Sequence, residues 1–222
     1  MLLNDNFAMM LSSTGATFFM VLVAACVAIS FGLPIAVLLT VSAKGRFLEN
    51  AFLHRILSAI VTLGRSVPFV ILMVALIPLT RFVVGSSIGT AAAIVPLSIA
   101  AIPFFARVVE GKLASVDGGV LEAALAMGFS PWQIIRKVLL REAIPGISNA
   151  ITILMVSLVE YSAMAGAVGG SGLGSTAIQY GYYQFDTLVM LEALGVLVCL
   201  VLGLQFLGDR ITKYLSRHLK QV

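Results

Sequence analysis

The chain has 222 residues, of which 14 are basic and 10 acidic, and its net charge is +4. Hydrophobic residues make up 60% of it and charged residues 11%, whereas a soluble domain has roughly 45–50% and about 25%. With a mean hydropathy of +1.07, this composition excludes a soluble enzyme, a disordered chain and a disulfide scaffold. It predicts an all-α membrane protein with several spans, because backbone groups in lipid must be paired within a helix.

Five apolar segments are long enough to cross a bilayer, which takes about 20 residues per helix. Each contains at most one charged residue, and we expect a non-helical glycine-rich loop after the fourth. Together they form one predicted transmembrane domain over residues 1–222. The five predicted spans cover about residues 17–41, 57–80, 83–106, 148–168 and 187–208.

The basic residues indicate the orientation of these spans. All of the 14 except Arg65 and Arg81 fall on one predicted side of the membrane. Because Lys and Arg concentrate in cytoplasmic loops, we predict an outside N-terminus and a cytoplasmic C-terminus, which agrees with five spans. The first 16 residues contain no Lys or Arg, so we expect a retained first helix rather than a cleaved signal peptide.

The longest cytoplasmic segment is a predicted loop at residues 107–147, between the third and fourth spans. Asp117 is a suitable N-cap for a short helix that Gly128 would end. Such a short helix is marginal alone in water, so it must pack on a surface. Apolar side chains left facing the cytoplasm would indicate a docking partner. The residues we expect to be exposed in this way are Leu121, Leu125 and Met127.

A second helix is predicted directly after the first. Ser130 is a good N-cap, Pro131 suits the first helical position, and Gln133 completes a capping box. The residue before a proline disfavours the helical conformation, so we expect this helix to end before Pro145.

The segment Glu122-Ala123-Ala124, followed by Gly128, resembles the EAA motif of type I ABC-importer permeases. In that family this short helix is the coupling helix, which sits in a groove of the ATP-binding subunit and transmits its closure. The family often has a proline where this chain has Arg141, and in this chain a proline follows at Pro145 instead. The resemblance implies that the contacts with the ATP-binding subunit come from Leu121, Glu122, Ala123, Ala124, Leu125, Met127 and Gly128.

Other stretches are similar to the permease subunits of methionine-uptake ABC transporters, namely residues 65–69, 161–174, 180–182 and 205–211. The resemblance implies a homodimer in the bacterial cytoplasmic membrane that forms a path for D- or L-methionine. It also implies two ATP-binding subunits, which hold the ATP and magnesium, and an extracytoplasmic binding protein that delivers the ligand near residues 170–186. An importer for another amino acid or solute is the alternative within the same family.

The end of the fourth predicted span is rich in small residues, which let helices approach closely in lipid. Met164 lies within it, and its flexible thioether either forms a constriction at the two-fold axis, as the resemblance implies, or packs in the ordinary way. Glu160 is an acid within the membrane, a costly placement, and would meet a substrate ammonium or pair with Arg65. Glu192 lies nearer the outer end of its span, where it can reach water. The residues that we assign to the translocation path are Glu160, Tyr161, Ser162 and Met164.

No sequence signature of catalysis is present. The chain has no phosphate-binding GxxxxGK[ST] loop, and Cys26 and Cys199 have no metal-ligand spacing. We therefore expect no enzymatic activity, no cofactor or metal in this chain, and no nucleic-acid partner. Two rival functions stay open, an ion-coupled secondary transporter with Glu160 as its coupling acid and a membrane scaffold without transport.

Overall fold

The computed structural model describes the backbone of residues 2–219 and the side chains of residues 7–217. Every regular element in this part of the chain is a helix, as predicted. The helices are α1 Leu2–Ser42, α2 Ala51–Ser66, α3 Phe69–Ala75, α4 Ile77–Val84, α5 Thr90–Ala114, α6 Gly118–Ala126, α7 Pro131–Gln133, α8 Leu140–Glu142, α9 Ile144–Gly166, α10 Leu173–Thr176 and α11 Thr187–Leu219, with π-helical turns at Ile134–Leu139 and Ala177–Tyr182.

Four described helices are long and apolar enough to cross a membrane, and they contain Phe7–Ser42, Thr90–Ala114, Ile144–Gly166 and Thr187–Arg217. A fifth span results if α2 and α3 count as one broken span, since the two helices are bent by 95° relative to each other. The predicted number of five spans agrees with this count.

The second predicted span, 57–80, is not a straight helix. Pro68 precedes α3 with an extended backbone, ψ 134°, and the residue before a proline avoids the helical conformation. A further break at Leu76 separates α3 from α4. The chain therefore turns sharply within the second apolar stretch.

The first and third predicted spans are displaced from the observed helices. Helix α1 begins at Leu2 and not near residue 17. Residues 83–84 belong to α4, which ends at Gly85 with a left-handed φ of 80°. Helix α5 then continues to Ala114, so the first part of the predicted loop 107–147 is helical. Arg107 and Glu110 form an ion pair of 2.7 Å one turn apart, which supports this extension.

The chain forms two compact units, each built from three segments. The first comprises Met1–Val27, Val67–Ala101 and Leu154–Gln205, and Met10, Leu173, Val189 and Ala193 form a buried cluster in it. Among the residues that the structure describes, Arg81 is its only Lys or Arg.

The second unit comprises Ala28–Ser66, Ile102–Ile153 and Phe206–Val222. Leu39, Val61 and Ala106 form a buried cluster in it. It contains every other described basic residue, which the positive-inside bias associates with the cytoplasmic side.

Helices α9 and α11 approach closely within the second unit. A Cβ atom added at Gly208 would overlap the side chain of Thr152, whereas one added at Gly203 would meet nothing within 4 Å. The Thr212 hydroxyl donates to the Ser148 hydroxyl over 3.1 Å. A small residue next to interhelical hydrogen bonds is the usual packing of helices in lipid.

We predict that Gly208→Ala destabilises the protein, because Thr152 is β-branched and cannot move aside. Overpacking of this kind costs about 1–3 kcal/mol. Gly203→Ala is the matched control in the same helix, and it should leave stability unchanged or raise it by up to about 1 kcal/mol through helix propensity. Thermal unfolding of the detergent-purified variants measures the difference, and equal melting temperatures would contradict this packing.

Candidate functional site

Helix α6 has the start and end predicted from the sequence. The Asp117 carboxylate accepts a hydrogen bond of 2.8 Å from the Gly119 N–H, which caps the helix at its N-terminus. At the other end Gly128 has a left-handed φ of 78°. There the Phe129 N–H donates to the Ala124 carbonyl over 3.1 Å. Both ends of this nine-residue helix are therefore capped.

One face of α6 is buried, and this corrects part of the sequence prediction. Leu121 is only 4% exposed and Ala124 only 1%. These two residues lie one turn apart, and α6 contacts the π-helical turn Ile134–Leu139, whose two end residues are fully buried. The prediction that Leu121 is exposed is therefore wrong, because its side chain is buried in a helix that contacts the following helical segment.

Several other residues of α6 and its C-cap Met127 are exposed. Leu125 is 44% exposed and Met127 67%, which confirms the prediction for these two residues. Glu122 and Ala123 are also exposed. Among the described residues, no hydrogen bond or ion pair involves the Glu122 carboxylate. Exposed apolar side chains next to one unpaired carboxylate are typical of a docking site.

The second helix of the segment begins as predicted. The Gln133 N–H donates to the Ser130 hydroxyl over 3.4 Å, and the Ser130 N–H donates to the Gln133 side-chain oxygen over 2.9 Å. This is the capping box with Pro131 at the first turn. The helical segment ends at Glu142, before Pro145, as expected.

Two exposed apolar residues were not singled out from the sequence. Val120 lies in α6, and Trp132 follows the second cap with 67% exposure. A lone tryptophan in a cytoplasmic loop was a signal that could have identified Trp132. The exposed side chains of this segment are called the coupling surface below, and they are Val120, Glu122, Leu125, Met127 and Trp132.

The four predicted path residues lie in α9, and the structure distributes them over different faces. Glu160 and Met164 are one turn apart and both exposed. Ser162 is buried, and its hydroxyl donates to the Val159 carbonyl over 2.7 Å. The ring of Tyr161 stacks on Phe69 with centroids 4.9 Å apart and planes at 11°. Glu160 and Met164 therefore share an open face, whereas Tyr161 and Ser162 are engaged within the chain.

The glycine-rich segment after α9 is non-helical over residues 167–172, as predicted, but it is tightly packed and becomes helical from Leu173 to Tyr182. A Cβ atom added at Gly166 would overlap the backbone of Ser175, and one added at Gly174 would overlap the backbone of Ala163. Helix α10 therefore lies directly against the end of α9. The Leu173 N–H also donates to the buried Thr17 hydroxyl over 2.9 Å.

The described residues contain no group of three or more His, Cys, Asp or Glu side chains that could hold a metal ion. The arrangement offers a candidate docking surface and an exposed helix face.

The family of proteins described as "Binding-protein-dependent transport system inner membrane component" matches residues 32–221. The chain belongs to this permease family. It is therefore a multi-pass component of the inner membrane. Like the fold class, the predicted membership of the ABC-importer permeases is confirmed.

This permease is similar over most of its length to several known members. It is 50% identical to the "Probable D-methionine transport system permease protein MetI" of Vibrio cholerae serotype O1, over 94% of this chain and 92% of the relative. The protein of that name from Pasteurella multocida is 47% identical, over 90% and 93%.

Solved structures show the same fold. A chain of the structure "Inward facing conformations of the MetNI methionine ABC transporter: CY5 native crystal form" has 48% identity and a TM-score of 0.92, with 94% of this chain and 97% of that chain covered. A chain of an amino acid ABC transporter crystallised with histidines has 18% identity and a TM-score of 0.73, over 97% and 96%, and shows a shared fold alone.

We predict that the caps of α6 keep it helical. Asp117→Ala should cost about 1 kcal/mol through the lost cap, and Gly128→Val about 1–2 kcal/mol because a β-branched residue is strained at a left-handed φ. Gly118→Ala is the control, since its new Cβ meets nothing within 4 Å. Hydrogen exchange of the peptide over residues 118–128 should accelerate about fivefold or more in the first two variants and not in the third. Unchanged exchange in all three would contradict this account.

Proposed function

We propose that this permease is the transmembrane subunit of an ATP-driven ABC importer that forms the path for methionine, as the D- or the L-isomer or both. The observation that carries the proposal is α6, a helix capped at both ends in which Leu121 and Ala124 are buried while Glu122 and Leu125 are exposed. The names of the similar permeases support methionine as the substrate. The importer would contain two copies of this chain, two ATP-binding subunits and an extracytoplasmic binding protein that docks near residues 170–186.

The chain itself acts as a lever and a path and hydrolyses nothing. ATP and magnesium would bind the partner subunits, and no cofactor or metal would bind this chain. The exposed side chains of the coupling surface would fill a groove of the ATP-binding subunit, with Glu122 facing a basic or hydrogen-bonding group there. Because ATP binding favours the closed arrangement of those subunits, it would shift the permease towards its outward-open state.

When the ATP-binding subunits close, they would move α6, and this movement would pass along the backbone to α9. Helix α6 contacts the π-helical turn Ile134–Leu139, and its residues Leu121 and Ala124 are buried. The break before α9 is bridged by the Ala143 N–H, which donates to the Leu139 carbonyl over 3.1 Å, and the Ile147 N–H, which donates to the Ala143 carbonyl over 2.8 Å. A movement of the coupling surface therefore moves the start of α9.

Met164 and Glu160 would act at the other end of α9. Their exposed face is available to line a path between two copies of the chain. The Met164 side chain would narrow that path at the two-fold axis and swing aside when the two α9 helices separate, since a thioether chain has three rotatable bonds. Glu160, one turn away, would attract the ammonium group of an amino acid. Tyr161 and Ser162 would hold α9 in position through their contacts within the chain.

The substrate and the coupling surface are tested together in vesicles that contain the permease, its ATP-binding subunit and its binding protein. We expect ATP-dependent uptake of labelled methionine. Glu122→Lys and Leu125→Asp should lower uptake more than tenfold, because a misplaced charge at the centre of an interface costs about 2 kcal/mol or more. Asp209→Lys, an exposed acid outside the coupling surface, is the control and should leave uptake unchanged.

Each alternative has its own outcome in that assay. Good transport of another solute without methionine uptake would reject the substrate and keep the importer. Uptake driven by a proton or sodium gradient without ATP would favour an ion-coupled transporter. Full activity of both coupling-surface variants would contradict the role of α6.

The position of Met164 at the two-fold axis is tested by cysteine cross-linking. In a background with Cys26 and Cys199 replaced by alanine, Met164→Cys should form an intermolecular disulfide on oxidation, because a disulfide requires Cα atoms within about 7 Å. Ser162→Cys, on the buried face, is the control and should remain monomeric on a denaturing gel. A Met164→Cys variant that does not cross-link, in a chain that is dimeric by size exclusion, would remove Met164 from the axis.

A further inference from the structure

An apolar groove lies between the first turns of α1 and the first turns of α11, within the first unit. Its volume is about 650 Å³, and its lining includes Phe7, Leu11 and Val196 together with Glu192 and Gly195. A Cβ atom added at Gly195 would meet nothing within 4 Å. The missing side chain at this position therefore helps to keep the groove open.

Glu192 is the one charged group among the groove-lining residues. The Thr14 hydroxyl, which also lines the groove, donates to the Met10 carbonyl over 2.7 Å. In the part of the chain that the structure describes, no hydrogen bond or ion pair involves the Glu192 carboxylate. A carboxylate beside apolar surface in a transmembrane helix is stabilised by a cationic partner, so a ligand with a cationic group fits the groove.

The surroundings of the groove indicate that this ligand is a lipid. Leu191, Leu194 and Val198 beside it on α11 are all exposed, as expected of a surface that faces acyl chains. Glu192 lies five residues after the start of α11 at Thr187, about 7 Å along the helix axis. In the predicted orientation this is the outer end, close to the level of the headgroups.

We propose that the groove binds an outer-leaflet phospholipid whose headgroup ends in a primary ammonium. The ammonium donates a charge-assisted hydrogen bond to the Glu192 carboxylate, and one acyl chain lies along Phe7, Leu11 and Val196. A quaternary ammonium has no N–H to donate, and an anionic headgroup is repelled by the carboxylate. The site is independent of the transported substrate and of the coupling surface.

Native mass spectrometry of the purified full chain tests the headgroup chemistry. The probes are phosphatidylethanolamine, phosphatidylcholine and phosphatidylglycerol with identical acyl chains. We expect the chain to retain phosphatidylethanolamine about tenfold better than the other two lipids, because it alone can donate a charge-assisted hydrogen bond to the Glu192 carboxylate. Glu192→Gln, which keeps the shape of the side chain, should abolish this preference. Equal retention of the three lipids by the unmodified chain, or a preference that persists in Glu192→Gln, would overturn the proposal.

A side chain that fills the groove tests whether the lipid binds there. Gly195→Leu places a side chain in the groove and should lower retention of phosphatidylethanolamine by about tenfold. Gly203→Leu is the control, because its position on α11 is equally open and is outside the groove lining. It should bind lipid like the unmodified chain. Equal effects of the two variants would overturn the proposal. So would protection of Cys199 from a maleimide in lipid-free dimers, which would assign the groove to a second copy of the chain.

Discussion

A helix of nine residues does not persist alone in water, because nucleating it costs more than its few hydrogen bonds return. Helix α6 persists through three local supports, which are the Asp117 cap, the left-handed Gly128 and the burial of Leu121 with Ala124. The proposed transport cycle depends on these supports. A segment that frayed or rotated would absorb the movement of a partner subunit instead of passing it on to α9.

The features of this segment that the sequence predicted correctly are local ones. A cap involves residues two or three positions apart, so Asp117, Gly128 and the Ser130–Gln133 box could be identified from their spacing. The burial of Leu121 could not, because it depends on tertiary packing between α6 and other elements, among them the π-helical turn Ile134–Leu139. The extension of α5 to Ala114 was missed for a different reason. Hydropathy marks where a chain leaves lipid, and a helix supported by an Arg107–Glu110 pair continues beyond that point.

In the membrane segments too, the sequence predicted local features but not the contacts between distant residues. The sequence predicted one span over residues 57–80, and the 95° bend between α2 and α3 depends on how these two helices pack. The stack of Tyr161 on Phe69 joins residues far apart in sequence, and no periodicity reveals it. The sequence did identify Glu160 and Glu192 as unusual acids. The structure then separates them, with Glu160 exposed on α9 beside Met164 and Glu192 in an apolar groove.

The most direct test of the central claim is a structure of this chain with its ATP-binding subunit in a lipid nanodisc. The account predicts that Val120, Leu125, Met127 and Trp132 become buried against that subunit, and that Glu122 gains a basic or hydrogen-bonding partner. Leu121 and Ala124 would stay buried. A complex in which α6 lies in lipid, or in which the subunit binds elsewhere and leaves these side chains exposed, would contradict it.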